Sequence, residues 1–202
     1  MTKMDMKRII ETFERKGFKV SFFESGGEAV KYLCSRLRGK SVGIGGSMTV
    51  EQLGLYDALS AESTVYWHWK QPADEAREKA AIAQAYISSA NAIAATGEIV
   101  NIDGNGNRVA SLSYGHEEVY IVAGVNKLTE ELDSAIFRAR NVAAPLNARR
   151  LGHKTPCAAG EELRCHDCSS PERGCRVTSI ISCPPNCTGV MELVLINEKL
   201  GF

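Results

Sequence analysis

Apolar positions alternate between a helical and a strand period along the first two thirds of the chain. Met6, Ile9, Ile10 and Phe13 share one face of an amphipathic helix expected over 1–15, and Gly17 stands where a left-handed C-terminal cap is wanted. Residues 18–23 read as a strand. Ser25 and Glu28 form a capping-box pattern ahead of the stripe Val30, Leu33, Cys34 and Leu37, which makes Cys34 a small core residue. A short buried strand follows over 41–44, then a glycine turn, a helix over about 49–59 and a strand over 64–69. An alanine-rich helix is expected over 73–89, and a short strand over 91–95.

This βαβα rhythm predicts a mostly parallel sheet with helices on both faces. The pattern then changes. The apolar runs 99–102 and 109–112 flank Asn105-Gly106, the sequence signature of a β-hairpin. A strand is expected over 119–123. Leu128, Leu132 and Ile136 then mark a helix that opens on Glu130 and Glu131, closes on Arg138 and Arg140, and stops at Pro145. Residues 151–175 carry no apolar period. The runs 177–181 and 190–196 read as strands that return to the sheet. Without a repeat or a linker, 1–202 is one α/β domain, a mixed, mostly parallel sheet flanked by helices, with a cysteine-rich insertion at about 151–176.

Composition adds little to that picture: 44% hydrophobic, 24% charged, and 24 Lys plus Arg against 24 Asp plus Glu. A balanced charge gives no reason to expect nucleic-acid binding. The absence of a long apolar run or an apolar leader predicts a cytoplasmic chain without membrane insertion, in which thiols stay reduced.

That setting frames the seven cysteines. Cys157, Cys165, Cys168 and Cys175 are spaced C-x7-C-x2-C-x6-C, and the C-x2-C pair lets two thiolates share one centre. Such a set suits zinc or an iron–sulfur cluster such as [4Fe–4S], and metal binding supplies order to a segment with no hydrophobic face. Disulfides, a redox pair and free surface thiols are the competing readings. His153 and His166 read as exposed loop histidines, His116 as a solvated one, and Cys183 and Cys187 stay outside the site.

Gly43-Ile-Gly-Gly-Ser-Met-Thr49 follows a strand and opens a helix. Gly45, Gly46, Ser47 and Thr49 are candidate contacts for a small anionic substrate; otherwise Thr49 and Gln52 serve as a capping box. Glu51, in the first helical turn, is a candidate base or nucleophile, or only a partner of the helix dipole. Thr96 and Gly97, after the strand at 91–95, and Asn126 and Lys127, after the strand at 119–123, are expected at the same sheet edge. There Lys127 is a candidate catalytic or anion-binding group.

Several stretches together resemble the LUD domain family of lactate utilization proteins over nearly the whole chain. They are Gly45-Gly-Ser-Met-Thr-Val-Glu51, Ala95-Thr-Gly97, Gly124-Val-Asn-Lys-Leu128, Ala144-Pro-Leu-Asn147, Arg150-Leu151, Thr155-Pro-Cys157 and Cys165-His-Asp-Cys168, with Ser170-Pro-Glu-Arg173 before Cys175. Glu98 departs from the Thr of many relatives. The resemblance implies a fold like ribose-phosphate isomerases, glucosamine-phosphate deaminases and CoA transferases, and adds Asn147 and Arg150 to the substrate-binding candidates. It implies an accessory role in cytoplasmic oxidation of lactate or a related 2-hydroxy acid, through an iron–sulfur centre and beside an iron–sulfur oxidoreductase subunit. The alternative is a stand-alone enzyme on a sugar phosphate or acyl-CoA with structural zinc. A homo-oligomer fits either.

Overall fold

The computed structural model describes residues 5–160 and 163–202. The first four residues of the expected N-terminal helix lie outside them. Helix α1 (Met6–Arg15) buries Ile9 and Phe13 and ends at Gly17, whose φ is +89°. After β1 (Lys19–Phe23) comes α2 (Gly26–Leu37), with the Ser25–Glu28 capping box formed in both directions. Strand β2 (Ser41–Ile44) leads to α3 (Met48–Gln52) and α4 (Leu55–Ser60). The single helix expected here is broken at Gly54, which takes a φ of +62°. The helix cap is Ser47, whose Oγ accepts from the Val50 amide at 3.2 Å, while the Gln52 side chain accepts instead from Gly201 N at 2.7 Å.

Strand β3 (Thr64–Trp67) and α5 (Ala73–Ala81) follow. The alanine-rich helix ends there, and 85–88 is a strand, β4 (Ala85–Ser88). All four of its residues are buried because it lies inside the sheet with both faces covered. A run apolar on both faces has no period of two to separate it from a buried helix. Next come β5 (Ala92–Ala94), β6 (Ile99–Asp103) and α6 (Asn107–Ser113). The expected hairpin is therefore absent. Gly106, with φ +84°, starts a helix, and the Asp103 carboxylate accepts from the amides of Arg108 and Val109 at 3.0 and 3.2 Å.

Strand β7 (Glu118–Gly124) passes through a 3-10 turn, Val125–Lys127, into β8 (Leu128–Thr129). Helix α7 (Leu132–Arg138) does not stop at Pro145. A π-helical turn, Ala139–Ala143, carries it into α8 (Ala144–Arg150) with Pro145 in the first turn. The wider turn accommodates a residue with no amide hydrogen to donate. Finally come α9 (Pro156–Ala159), β9 (Val177–Ile181) and β10 (Val190–Ile196).

Among the described residues the strands form two sheets. Six parallel strands run in the order β1-β10-β7-β4-β2-β3, and four mixed strands in the order β8-β5-β6-β9. Of the two strands expected to return to the sheet, β10 enters the parallel one, while β9 pairs antiparallel with β6. Alternation along β7 and β10 sends Val119, Ile121, Leu193 and Leu195 into one core and Tyr120, Val122, Val194 and Ile196 into the other. A third, smaller core of Ala92, Ala94, Val100, Ala135 and Ala139 fixes α7 to the second sheet.

Candidate functional site

All strands of the large sheet point the same way, so the segments after β2, β3, β4 and β7 emerge along one edge. The chain goes from β2 out to β3 and returns on the other side as β4, which opens a crevice between the exits of β2 and β4. A cleft of ≈ 440 Å³ lies there, closed on its far side by the β6–α6 turn, α8 and the cysteine segment. Its size is that of a small-molecule site.

Lys127 is the centre of this edge. The 3-10 turn after β7 brings its side chain inward, where it is only 3% exposed and lines the cleft. Its Nζ bonds Ser89 Oγ at 2.8 Å and Thr49 Oγ1 at 2.9 Å. Burial, followed by repulsion from Arg138 and Arg108, pulls its pKa from 10.5 down to about 7. Ser89, the first residue beyond β4, is 4% exposed and also lines the cleft.

The surrounding charge is strongly one-sided. Among the described residues, Arg77, Arg108, Lys127, Arg150 and Arg173 line the cleft against one side-chain carboxylate, Asp103. Arg108 donates to the carbonyls of Ser89 at 3.5 Å and Ile102 at 2.6 Å. Arg150 lies over the Trp69 ring at 4.8 Å and donates to Asn147 Oδ1 at 2.9 Å. His68, also facing the cleft, has its pKa lowered by burial and by Arg77, which favours the neutral ring. Such a cleft attracts anions.

The sequence candidates divide accordingly. Gly46, Ser47, Lys127, Asn147 and Arg150 line the cleft. Gly45 sits beside it with its amide committed to the Ile87 carbonyl at 2.9 Å, and a Cβ there would lie 2.8 Å from Tyr86 Oη. Thr49 is fully buried behind Lys127 and reaches the Leu200 carbonyl at 3.4 Å. Glu51 is not part of the cleft wall. Its carboxylate pairs with Lys70 at 2.8 Å, a residue of the segment that follows β3. Thr96 and Gly97 leave the site as well. They form the β5–β6 turn of the second sheet, where Glu98 pairs with Lys16 at 2.5 Å. Asn126 holds the C-terminal segment, accepting from Leu200 N at 3.0 Å.

His116 is not solvated. It is 3% exposed, stacked on Tyr86 at 4.9 Å, with Nδ1 2.7 Å from the Ala83 carbonyl. Ser89, Arg77, Arg108, Asp103 and Arg173 line the cleft and were missed by sequence reasoning. Ser89 was hidden by the overlong helix and Arg108 by the hairpin pattern. A polar Ser88-Ser89 pair ending an apolar run is the signal that marks a strand exit.

The cysteine segment forms part of the cleft wall. Cys157, Cys168 and Cys175 line the cleft, whereas Cys165 Sγ lies 3.8 Å from Arg140 Nη2. Arg173 braces the segment by donating to the carbonyls of Cys168 and Cys175, both at 2.9 Å. His166 is exposed, as expected; His153 is not an exposed loop histidine but half-buried in the cleft wall, its buried Nδ1 without a hydrogen-bond partner among the described residues. All seven cysteines are free thiols. The donor types suit a thiophilic metal, but among the described residues no three His, Cys, Asp or Glu side chains are grouped to hold one ion.

Among the described residues no helix is long and apolar enough to cross a membrane. The family model for the LUD domain matches residues 6–190. No curated protein matches the chain. A solved structure similar in fold is that of a DUF162 family protein from Deinococcus radiodurans, at a TM-score of 0.54 and 11% identity, covering 96% of this chain and 99% of that one.

Proposed function

Because the chain belongs to the LUD domain family, we propose that its cleft binds a small anionic substrate, lactate or a related 2-hydroxy or 2-oxo acid. Lys127 is the group that moves protons there. The observation that carries this reading is a buried amine with its pKa pulled down to about 7, in a cleft whose described lining adds four arginines against one side-chain carboxylate. A general base works best when its pKa lies near the working pH. Arg77 and Arg150 hold the substrate's negative charge, and neutral Lys127 accepts a proton from the substrate or returns one to it. No step in this reading passes through a metal. Electron transfer to or from the acid belongs to a partner, an iron–sulfur oxidoreductase subunit, and the site is that of an accessory protein in cytoplasmic 2-hydroxy-acid oxidation.

Titration calorimetry with lactate, pyruvate and ribose 5-phosphate tests the reading. Lactate or pyruvate should bind, ribose 5-phosphate standing for the sugar-phosphate alternative, and Arg150→Ala and Arg77→Ala should each weaken the acid by about tenfold, the worth of one charge-assisted hydrogen bond. Absence of binding for lactate and pyruvate at millimolar concentration removes the reading, whether or not ribose 5-phosphate binds.

A second reading gives the cysteine segment a thiophilic metal, zinc or an iron–sulfur cluster, as a source of order. It is favoured by three cysteines facing one cleft. It requires the loop and its sulfurs to close around the metal on binding.

A further inference from the structure

We propose that Ser89 and Lys127 form a serine–lysine dyad, so that this chain carries an acyl-transfer activity on esters or thioesters of small anionic acids. The proposal rests on the anion-binding reading of the cleft for its substrate class, and on the dyad's own geometry for its chemistry.

Ser89 Oγ has two partners, Lys127 Nζ at 2.8 Å and Thr49 Oγ1 at 3.3 Å. A hydroxyl becomes a nucleophile when a neutral base within hydrogen-bond reach takes its proton. A lysine performs that task only where its ammonium form is disfavoured, as it is at a residue 3% exposed between two arginines. Both groups face the cleft, and each sits at a strand exit of the rigid parallel sheet. Thr49 Oγ1 accepts from the lysine at 2.9 Å and lies 3.3 Å from Ser89 Oγ, so the three polar atoms form a compact triangle that holds Nζ beside the hydroxyl. Serine–lysine pairs are an established variant of the nucleophile–base arrangement.

The step is balanced within the chain and substrate. Neutral Lys127 takes the Ser89 proton while Oγ bonds to the acyl carbon. The carbon–oxygen or carbon–sulfur bond to the leaving group then breaks, and the leaving group departs with the proton from Lys127. Water or another nucleophile then attacks the acyl-serine and gives its proton to the same amine; the acyl–Oγ bond breaks, Lys127 returns that proton to Ser89 Oγ, and the acid or the new acyl product leaves. The anionic intermediates form in a cleft whose described lining places four arginines, besides Lys127, against one side-chain carboxylate. An acyl group carrying its own carboxylate is held better there than a neutral one.

The test uses the purified chain with a fluorophosphonate reagent, which is indifferent to substrate charge, and with p-nitrophenyl hemisuccinate against p-nitrophenyl acetate. One covalent adduct should form on Ser89, located by peptide mass spectrometry. Its rate should rise with pH through an apparent pKa near 7. Ser89→Ala and Lys127→Met, with folding checked by circular dichroism, should lower hemisuccinate turnover at least ~100-fold, and the hemisuccinate should be preferred to the acetate. No adduct on Ser89 of the wild-type chain overturns the dyad whatever the variants do. A rate without the pH dependence overturns Lys127 as its base. Succinate binding measured alongside separates the two ideas: binding without an adduct removes only the dyad. An adduct without binding supports the dyad and removes the anion-cleft reading.

Discussion

Lys127 shows how one residue type acquires a role from its surroundings. In the sequence it is a lysine after a strand; in the fold its amine is withdrawn from water and faces hydroxyls rather than carboxylates. A folded pKa near 7 against 10.5 for the ordinary side chain means that, between those values, the unfolded chain holds a proton that the folded chain has released. Stability must then rise with pH across that window. The cost of burying the charged amine is present in full below pH 7 and is gone above about 10.5. Urea unfolding at pH 7 and pH 9.5 should show the wild-type chain gaining stability relative to Lys127→Met. Parallel behaviour of the two proteins would mean that the amine is not buried as described. Glu51, by contrast, carries the more familiar catalytic side chain and lies outside the cleft in an ion pair that solvent screens.

At the scale of the element, the site depends on how tightly β2 and β4 leave the sheet. Gly45 passes between them with no room for a side chain: an added Cβ would lie 2.8 Å from Tyr86 Oη and 2.9 Å from Ser88 Oγ, both in the interior. Gly45→Ala should cost about 1–3 kcal/mol, as overpacking of a filled core does. The displaced loop carries Gly46 and Ser47 into the cleft, so anion affinity should fall in the same variant. Thermal unfolding and calorimetry read the two effects separately, and an unchanged melting temperature would contradict the close packing. The caps and stripes of α1 and α2 were legible because each is local, set by residues three or four apart. β4 was not legible, since its character comes from neighbouring strands.

At the scale of the molecule, the cleft joins parts that are remote in the chain: strand exits of the large sheet, the β6–α6 turn of the small one, α8 and the cysteine segment. The segment is held by polar contacts, Arg173 on two carbonyls and the Arg176 amide on the Asp103 carbonyl at 2.9 Å, instead of by a hydrophobic face. The large sheet has a core on each side that does not use it. A metal on the thiolates would therefore order the wall without being needed by the sheet. Protein purified without oxygen should carry one zinc per chain, or iron matched by acid-labile sulfide. Cys168→Ser should lose the metal and speed amide exchange over 151–175 alone. A folded, metal-free chain with the same exchange pattern would end the metal reading.

The sequence by itself determined the α/β class, the largely parallel sheet, the caps, the glycine loop, and Lys127 as a residue to watch. These follow from local periodicity and from motifs written in adjacent positions. Only the tertiary structure decided that Glu51, Thr96 and Gly97 lie outside the cleft wall, and that Ser89, Arg77, Arg108 and Arg173 line it. It also placed three of the four spaced cysteines on the same wall. The physical reason is that a side chain's chemistry depends on its desolvation and on partners brought by other strands. For Lys127 those partners, Thr49 and Ser89, lie 78 and 38 residues away along the chain.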